Sequence, residues 1–232
     1  MLDNIISYFD MCQCEGTSLQ RGMNFRLRGG HSVILMSVRA NAPYRDRVEE
    51  DGSVLIYEGH DLPRSTSGPD PKSVDQPEFL SAGRRTDNGK FHHAAQEYKN
   101  GNKGPDLVQV YEKINKGIWA DNGFFHLLDS WIEHDGTRRV FKFKLVAVTA
   151  PEEPSLAVVT NPSPEIRRRI IPTQIKLAVW KRDAGKCIMC GATDELHFDH
   201  ILPFSKGGTS LKEDNVQLLC ARHNLEKSAK IQ

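Results

Sequence analysis

No stretch of the 232 residues approaches the roughly 18 to 20 consecutive apolar side chains that a membrane-spanning helix needs. The segment Met1 to Met11 carries acids where a secretory leader carries bases, so the expectation is a soluble, cytoplasmic protein with no membrane partner. Cysteine is scarce. Five in a chain of this length do not make the disulfide framework of a small secreted domain, and reduced thiols follow, Cys12 and Cys14 among them. The sequence shows no internal repeat and no low-complexity tract, which sets aside solenoids, collagen and coiled coils. An excess of one charge is missing too, since 31 Lys and Arg nearly balance 30 Asp and Glu. That balance is uneven along the chain. From Glu165 to Gln232 there are 12 bases against 8 acids, and before that 19 against 22, so the basic tail favours a phosphate-bearing partner.

What is present suffices for one large or two small domains, with 38% hydrophobic residues to fill their cores. The clearest composition break is a Pro-rich linker over 151–166, with Pro151, Pro154, Pro162 and Pro164 among small and acidic residues. It divides an N-terminal domain, 1–150, from a C-terminal domain, 167–232. Upstream, Ser32–Arg39, Ser53–Glu58, Leu107–Ile114, Gly123–His134 and Arg138–Val148 read as strands, and a short helix covers Lys90–Tyr98. The last strand alternates, which places Phe141, Phe143 and Leu145 in a core and Lys142 and Lys144 toward solvent or a ligand. Downstream, Thr173 reads as the N-cap of a helix through about Ala184, stopped at Gly185.

The C-terminal unit is too short for a large core and needs a staple. Cys187-Ile188-Met189-Cys190 and Cys220-Ala221-Arg222-His223 supply one: two pairs of soft ligands at the same internal spacing can grip a tetrahedral zinc ion. Between the pairs, Asp199-His200 ends a strand, where neighbouring side chains diverge toward two roles. An imidazole with a pKa near 6.5 can take a proton from water, and Asp199 and Asn224 offer hard oxygens to a divalent cation. Gly207-Gly208 permits a turn between strands with Lys206 beside it, and Lys227 follows Asn224 by three residues, so both lysines are phosphate-contact candidates.

Asp199-His200, Asn215 and Asn224, threaded between Cys187-x-x-Cys190 and Cys220-x-x-His223, resemble the HNH nuclease family with its zinc-stabilised ββα-metal fold. The resemblance implies that His200 is the general base, that Asp199 and Asn224 hold a catalytic Mg²⁺ or Mn²⁺, that Asn215 braces the loop aiming His200, and that the zinc is structural. The N-terminal motifs resemble the SRA-YDG family in their order: Gly30 to Ser37, then Tyr44-Arg45-Asp46-Arg47, Leu55 to Gly59, Asp75-Gln76 and Trp119 to Phe125. That resemblance implies a curved, PUA-like β-barrel that flips a modified cytosine out of duplex DNA, stacks it on Tyr44 and Tyr57 and reads its edge with a carboxylate. Asp46 stands two residues after Tyr44, where that family has its aspartate at three.

The expectation is therefore an α+β chain, reader plus cutter, with the linker setting the reach. It would act as a modification-dependent restriction endonuclease on double-stranded DNA carrying 5-methyl- or 5-hydroxymethylcytosine, defending a bacterium against phage. A double-strand break suggests a homodimer or successive nicks. The rival readings are an HNH nuclease or nickase whose N-terminal barrel binds unmodified DNA or RNA, and a catalytically inactive zinc-stabilised DNA-binding module.

Overall fold

Runs of β-branched and aromatic residues between Ser32 and Ala147 form strands because such side chains fit a pleated, half-buried surface. The computed structural model describes residues 4–49, 53–148, 171–203 and 206–227; the Pro-rich stretch 151–166 lies outside them. In chain order the elements are β1 (Asn4–Ser7), α1 (Tyr8–Cys14), β2 (Met23–Asn24), β3 (Ser32–Met36), β4 (Arg47–Glu49), β5 (Val54–Glu58), α2 (Asp87–Lys99), β6 (Asp106–Asn115), β7 (Ile118–His134), β8 (Arg139–Ala147), α3 (Thr173–Arg182), β9 (Leu196–His200), β10 (Val216–Cys220) and α4 (Ala221–Lys227). The class is α+β. Among the described residues no helix is long and apolar enough to cross a membrane.

The 17-residue β7 is the hub of the sheet. It forms an antiparallel hairpin with β6, which pairs in parallel with β3, and β2 lies outside β3. Residues 118–121 of β7 pair with β1, and residues 125–134 pair with β8, which leads on to β5 and β4. The main core lies inside this curved sheet, where Phe141, Phe143 and Leu145 meet Phe125, Tyr57 and Phe91 of α2, as the alternation in β8 requires. Thr86 caps α2 by accepting from the Gly89 N–H, so that helix starts three residues earlier than the apolar pattern alone indicates.

Two expectations need correcting. Lys142 does not face solvent: it is 2% exposed, with Nζ 2.8 Å from Glu58 Oε2. The sheet surface opposite the core carries a buried charge cluster in which Arg138 also reaches Asp61 at 2.6 Å, and Lys142 belongs to it. The N-cap of α3 is Pro172, whose fixed φ suits a helix entrance, and Thr173 is buried and makes no cap bond.

The two ends of the chain also meet directly. The sheet runs β10-β9-β1-β7-β6-β3-β2, so β1 joins C-terminal strands to N-terminal ones, with Asn4 opposite both Asp121 and His197. A second core is shared: Ile114 and Ala120 pack with Ile171, Val179, Phe198, Val216 and Leu218.

Gly59, just after β5, donates to Phe141 O at 2.9 Å and accepts from Gln76 Nε2 at 2.6 Å. A Cβ there would sit 2.7 Å from both Gln76 Oε1 and Asn88 Oδ1 and 2.9 Å from Phe141 Cβ. Gly59→Ala is expected to cost about 1–3 kcal/mol of stability through overpacking. Denaturant titration checks this, and an unchanged midpoint would contradict it.

Candidate functional site

A strand, a reversal and a second strand followed at once by a helix bring the four soft donors together. Cys187 and Cys190 lie on a knuckle closed by Cys187 N–H to Ala192 O and Gly191 N–H to Cys187 O, both 2.8 Å, while Cys220 ends β10 and His223 lies in the first turn of α4. Their ligand atoms all lie within 4.8 Å of one another. Cys190 Sγ and Cys220 Sγ are 3.8 Å apart, and His223 Nδ1 is 3.3 Å from Cys220 Sγ and 3.5 Å from Cys187 Sγ. A tetrahedral ion with bonds of about 2.3 Å to sulfur and 2.0–2.1 Å to nitrogen separates two sulfurs by about 3.8 Å and a sulfur and nitrogen by about 3.5 Å. The donor set therefore fits a zinc-sized ion in number, softness and spacing. Burial pushes the Cys187 thiol up, but the backbone N–H groups of Cys220, Met189 and Cys190 and the imidazole of His223 outweigh it and bring the pKa to about 6, favouring thiolate.

Asp199 and His200 end β9, held by β10 with Asp199 opposite Gln217 and His200 opposite Val216. Arg182 and Asp183, at the end of α3, fix β10 in turn: Arg182 donates to Val216 O at 2.7 Å and Asp183 accepts from Leu218 N–H at 2.9 Å. His200 Nε2 lies 2.8 Å from Ser210 Oγ. Asn215 clamps the intervening loop, accepting from Leu202 N–H at 2.8 Å and donating to Leu202 O at 3.2 Å and Thr209 O at 2.9 Å. Gly207 has φ +88°, and a Cβ on Gly208 would overlap the Leu202 carbonyl, so the loop tolerates no side chain there. Lys206 is exposed on this turn. Lys227 stands elsewhere than a solvated phosphate contact: its side chain is 1% exposed, 2.9 Å from Asp199 Oδ2 and 2.6 Å from His200 O. Asn224 is half-buried one turn earlier on α4. Neither Ser210 nor the inward course of Lys227 carries a sequence signal, because each depends on how a loop and a helix close over β9.

In the N-terminal part a cavity of about 810 Å³ is lined by Tyr44, Asp46, His60, Met36 and Trp119, among others. Tyr57 turns away from it. It is 1% exposed, with its hydroxyl donating to Gly22 O at 3.1 Å and 2.8 Å from His60 Nε2. His60 instead stacks on Tyr44, with centroids 4.8 Å apart and planes 8° from parallel, while the Lys72 ammonium lies 4.2 Å from the Tyr44 centroid. Burial lowers the His60 pKa to about 4, so this ring is neutral at pH 7. Asp46 accepts from Ser37 N–H and Glu58 N–H, each at 3.0 Å, and so ties the end of β3 to β5. Burial raises its pKa to about 7 against those two hydrogen bonds, with the Glu58 charge adding to the rise. Gln76 is wholly structural, bridging Gly59 O and Phe141 N–H. Of the three residues the resemblance assigns to a base pocket, Tyr44 and Asp46 line this cavity and Tyr57 does not; His60, directly after the Leu55 to Gly59 motif, lines it as well.

Residues 187–230 match the family model described as HNH endonuclease. No curated protein matches the chain. Among solved structures, the SRA domain of SUVH5 in complex with fully methylated CG DNA is similar over 67% of this chain and 93% of that one, at 22% identity and a TM-score of 0.43. The modification dependent TagI restriction endonuclease is similar over 97% of this chain and 76% of that one (18% identity, TM-score 0.41). The type IV phosphorothioation-dependent restriction endonuclease ScoMcrA is similar over 99% and 55% (15% identity, TM-score 0.45).

Two outcomes follow from this geometry. Stripping a bound ion with a strong chelator, or Cys220→Ser, is expected to lower the melting temperature, since structural zinc contributes on the order of 10 kcal/mol to small modules. Elemental analysis should find one tightly held ion per chain, and a melting curve indifferent to chelator would contradict the cluster's role. The second outcome concerns pH. Because Asp46 holds its proton to about pH 7 when folded and to about 3.9 when unfolded, the folded state binds more protons in that window, so this residue makes stability fall as pH rises from about 4 to 7. Asp46→Asn removes that slope; parallel stability–pH curves for the two proteins would refute the assignment.

Proposed function

We infer that this chain is a metal-dependent DNA endonuclease directed by a modified cytosine. The observation that carries the reading is the meeting of an HNH segment, complete in its Cys187/Cys190/Cys220/His223 cluster and its Asp199-His200 strand end, with a sheet whose cavity is lined by an aromatic ring and a half-buried carboxylate. The matching family supports hydrolysis of a phosphodiester, and the basic C-terminal segment supports a polyanionic substrate.

In this reading His200, at the strand end and held at Nε2 by Ser210, takes the proton of the attacking water, and the attack on phosphorus is in line. Asn215 keeps the loop, and with it Ser210, in register with His200. Asp199 and Asn224 would hold a divalent cation, Mg²⁺ or Mn²⁺, which supplies positive charge for the phosphate oxygens and the departing 3′ oxygen when bound. Lys227 holds the Asp199 carboxylate and the His200 carbonyl together and so fixes the spacing of the two residues. A zinc ion on the three cysteines and His223 would be structural, because four protein ligands fill such a site and leave no position for a substrate.

The N-terminal part would receive the extruded base in the cavity beside Tyr44 and Asp46. Extrusion costs a few kcal/mol, which hydrogen bonds to the base edge and stacking on Tyr44, in place of the Lys72 ammonium that lies over the ring His60 stacks on, would return. Asp46, poised near neutrality, can present either a carboxylate or a carboxylic acid to that edge.

The test is digestion of matched duplexes that differ only in cytosine modification, with Mg²⁺ or Mn²⁺ and an EDTA control. Faster cleavage of the modified duplex is expected. Equal cleavage would leave an HNH nuclease that ignores modification, and cleavage in EDTA would remove the metal-dependent mechanism. His200→Ala is expected to lower the rate by at least about 10²-fold while sparing bound zinc, as loss of a general base does; retained activity would unseat His200 as the base.

A further inference from the structure

Lys176 lies in the middle of α3, next to the nuclease strands, and it is 0% exposed among Ile175, Leu177, Val179 and Trp180. An ammonium there is costly unless it is paired and hydrogen-bonded. Its described partners come from the other end of the chain. Nζ donates to Asn122 Oδ1 at 2.7 Å and lies 3.8 Å from Glu112 Oε2, while Asn122 Nδ2 donates to the same Glu112 oxygen at 3.0 Å. Glu112 is 1% exposed and Asn122 is 8% exposed, so the three form a dry polar cluster inside the shared apolar core.

The strand that carries Asn122 also carries Trp119, which lines the 810 Å³ cavity. Trp119 is opposite Ile6 of β1, and Asn4 of β1 is opposite His197, two residues before Asp199. One short route through hydrogen-bonded strands therefore leads from the cavity wall to the cleavage residues. Apolar contacts alone permit sliding between the two parts. A buried charge whose amide and carboxylate partners lie across the interface resists sliding, because another seating draws the ammonium away from Asn122 Oδ1 and from the Glu112 carboxylate.

We propose that the Lys176–Asn122–Glu112 cluster is a registry lock that fixes the nuclease part on the base-binding part, so that this interface, rather than the Pro-rich stretch 151–166, sets the distance from the recognised base to the bond that is cut. Lys176 is a positioning residue here and touches no substrate. The proposal rests on the function inferred above, and it deepens that reading by saying what fixes the cleavage distance.

Two measurements on the full chain test it. In the first, a specific protease site placed within 151–166 is cut after folding and the product is passed over a sizing column. The two pieces are expected to elute together, and to part when Lys176→Met is present. Asn122→Ala, which keeps both charges and guards against a variant that does not fold, should also weaken the association. Pieces that part without any substitution, or that stay together with both, overturn the lock. In the second measurement, cut positions are mapped on a duplex holding one modified cytosine. Wild type is expected to cut at a single spacing, and Lys176→Met to lose that fixed spacing while its rate on plain DNA is unchanged; a spacing unmoved by the substitution overturns the proposal. Wild type that shows no preference for the modified duplex tells against the inferred function instead, and the nicked-chain elution then decides the lock by itself.

Discussion

The C-terminal unit contains too few apolar side chains to hold two strands and two short helices around a core of its own, and the rest of the molecule is arranged around that shortage. Three devices meet it. Soft donors from a knuckle, a strand end and a helix start converge to within 4.8 Å, where an ion can join them. Leu196 and Leu219 then pack against its Cys187 and Cys220, with Ile5 of β1 beside them. Finally, Val179, Phe198, Val216 and Leu218 bury themselves against Ile114 and Ala120 of the larger sheet, so that the small unit completes its core with someone else's surface.

Stability obtained by borrowing has a functional side. The strand end that presents Asp199 and His200 is gripped from every direction by polar side chains: Gln217 and Lys227 on Asp199, Ser210 on His200, Asn215 on the loop, and Arg182 and Asp183 on the neighbouring strand. In the role inferred for His200 a fixed ring matters, and hydrogen bonds together with packing hold such a side chain in place. The same logic applies at Asp46, whose two carboxylate oxygens each accept a backbone N–H and join two strands. Its shifted pKa is a by-product of that burial.

How much of this was legible in the sequence depends on whether a signal is local. The metal cluster was, since the two Cys-x-x-ligand pairs each lie on one turn and need only to face each other. The strands of the larger sheet were, through β-branched runs and the alternation around Phe141, Phe143 and Leu145. Residues that act across the fold were not. Lys142 and Lys176 look like solvated lysines by composition and are buried because their counter-charges, Glu58 and Glu112, come from distant strands. The resemblance makes Tyr57 a stacking position for the base, whereas in the structure it is a core residue and His60, three positions on, stacks beside Tyr44. Periodicity says which face a side chain is on; it does not say what covers that face.

The four-residue strand β1 bears on how the protein is made. Both of its edges are used, by β7 and by β9, yet residues 4–7 leave the ribosome well before residues 196–200 exist. From the making of its β7 partner, residues 118–121, to that of β9 the interval at typical synthesis rates is about 4 to 16 seconds. For that time the nascent chain holds a strand with an unsatisfied edge, the kind of surface that recruits other chains. Completing the nuclease strands is thus also what retires that edge, and slow translation or premature termination would leave a product prone to self-association.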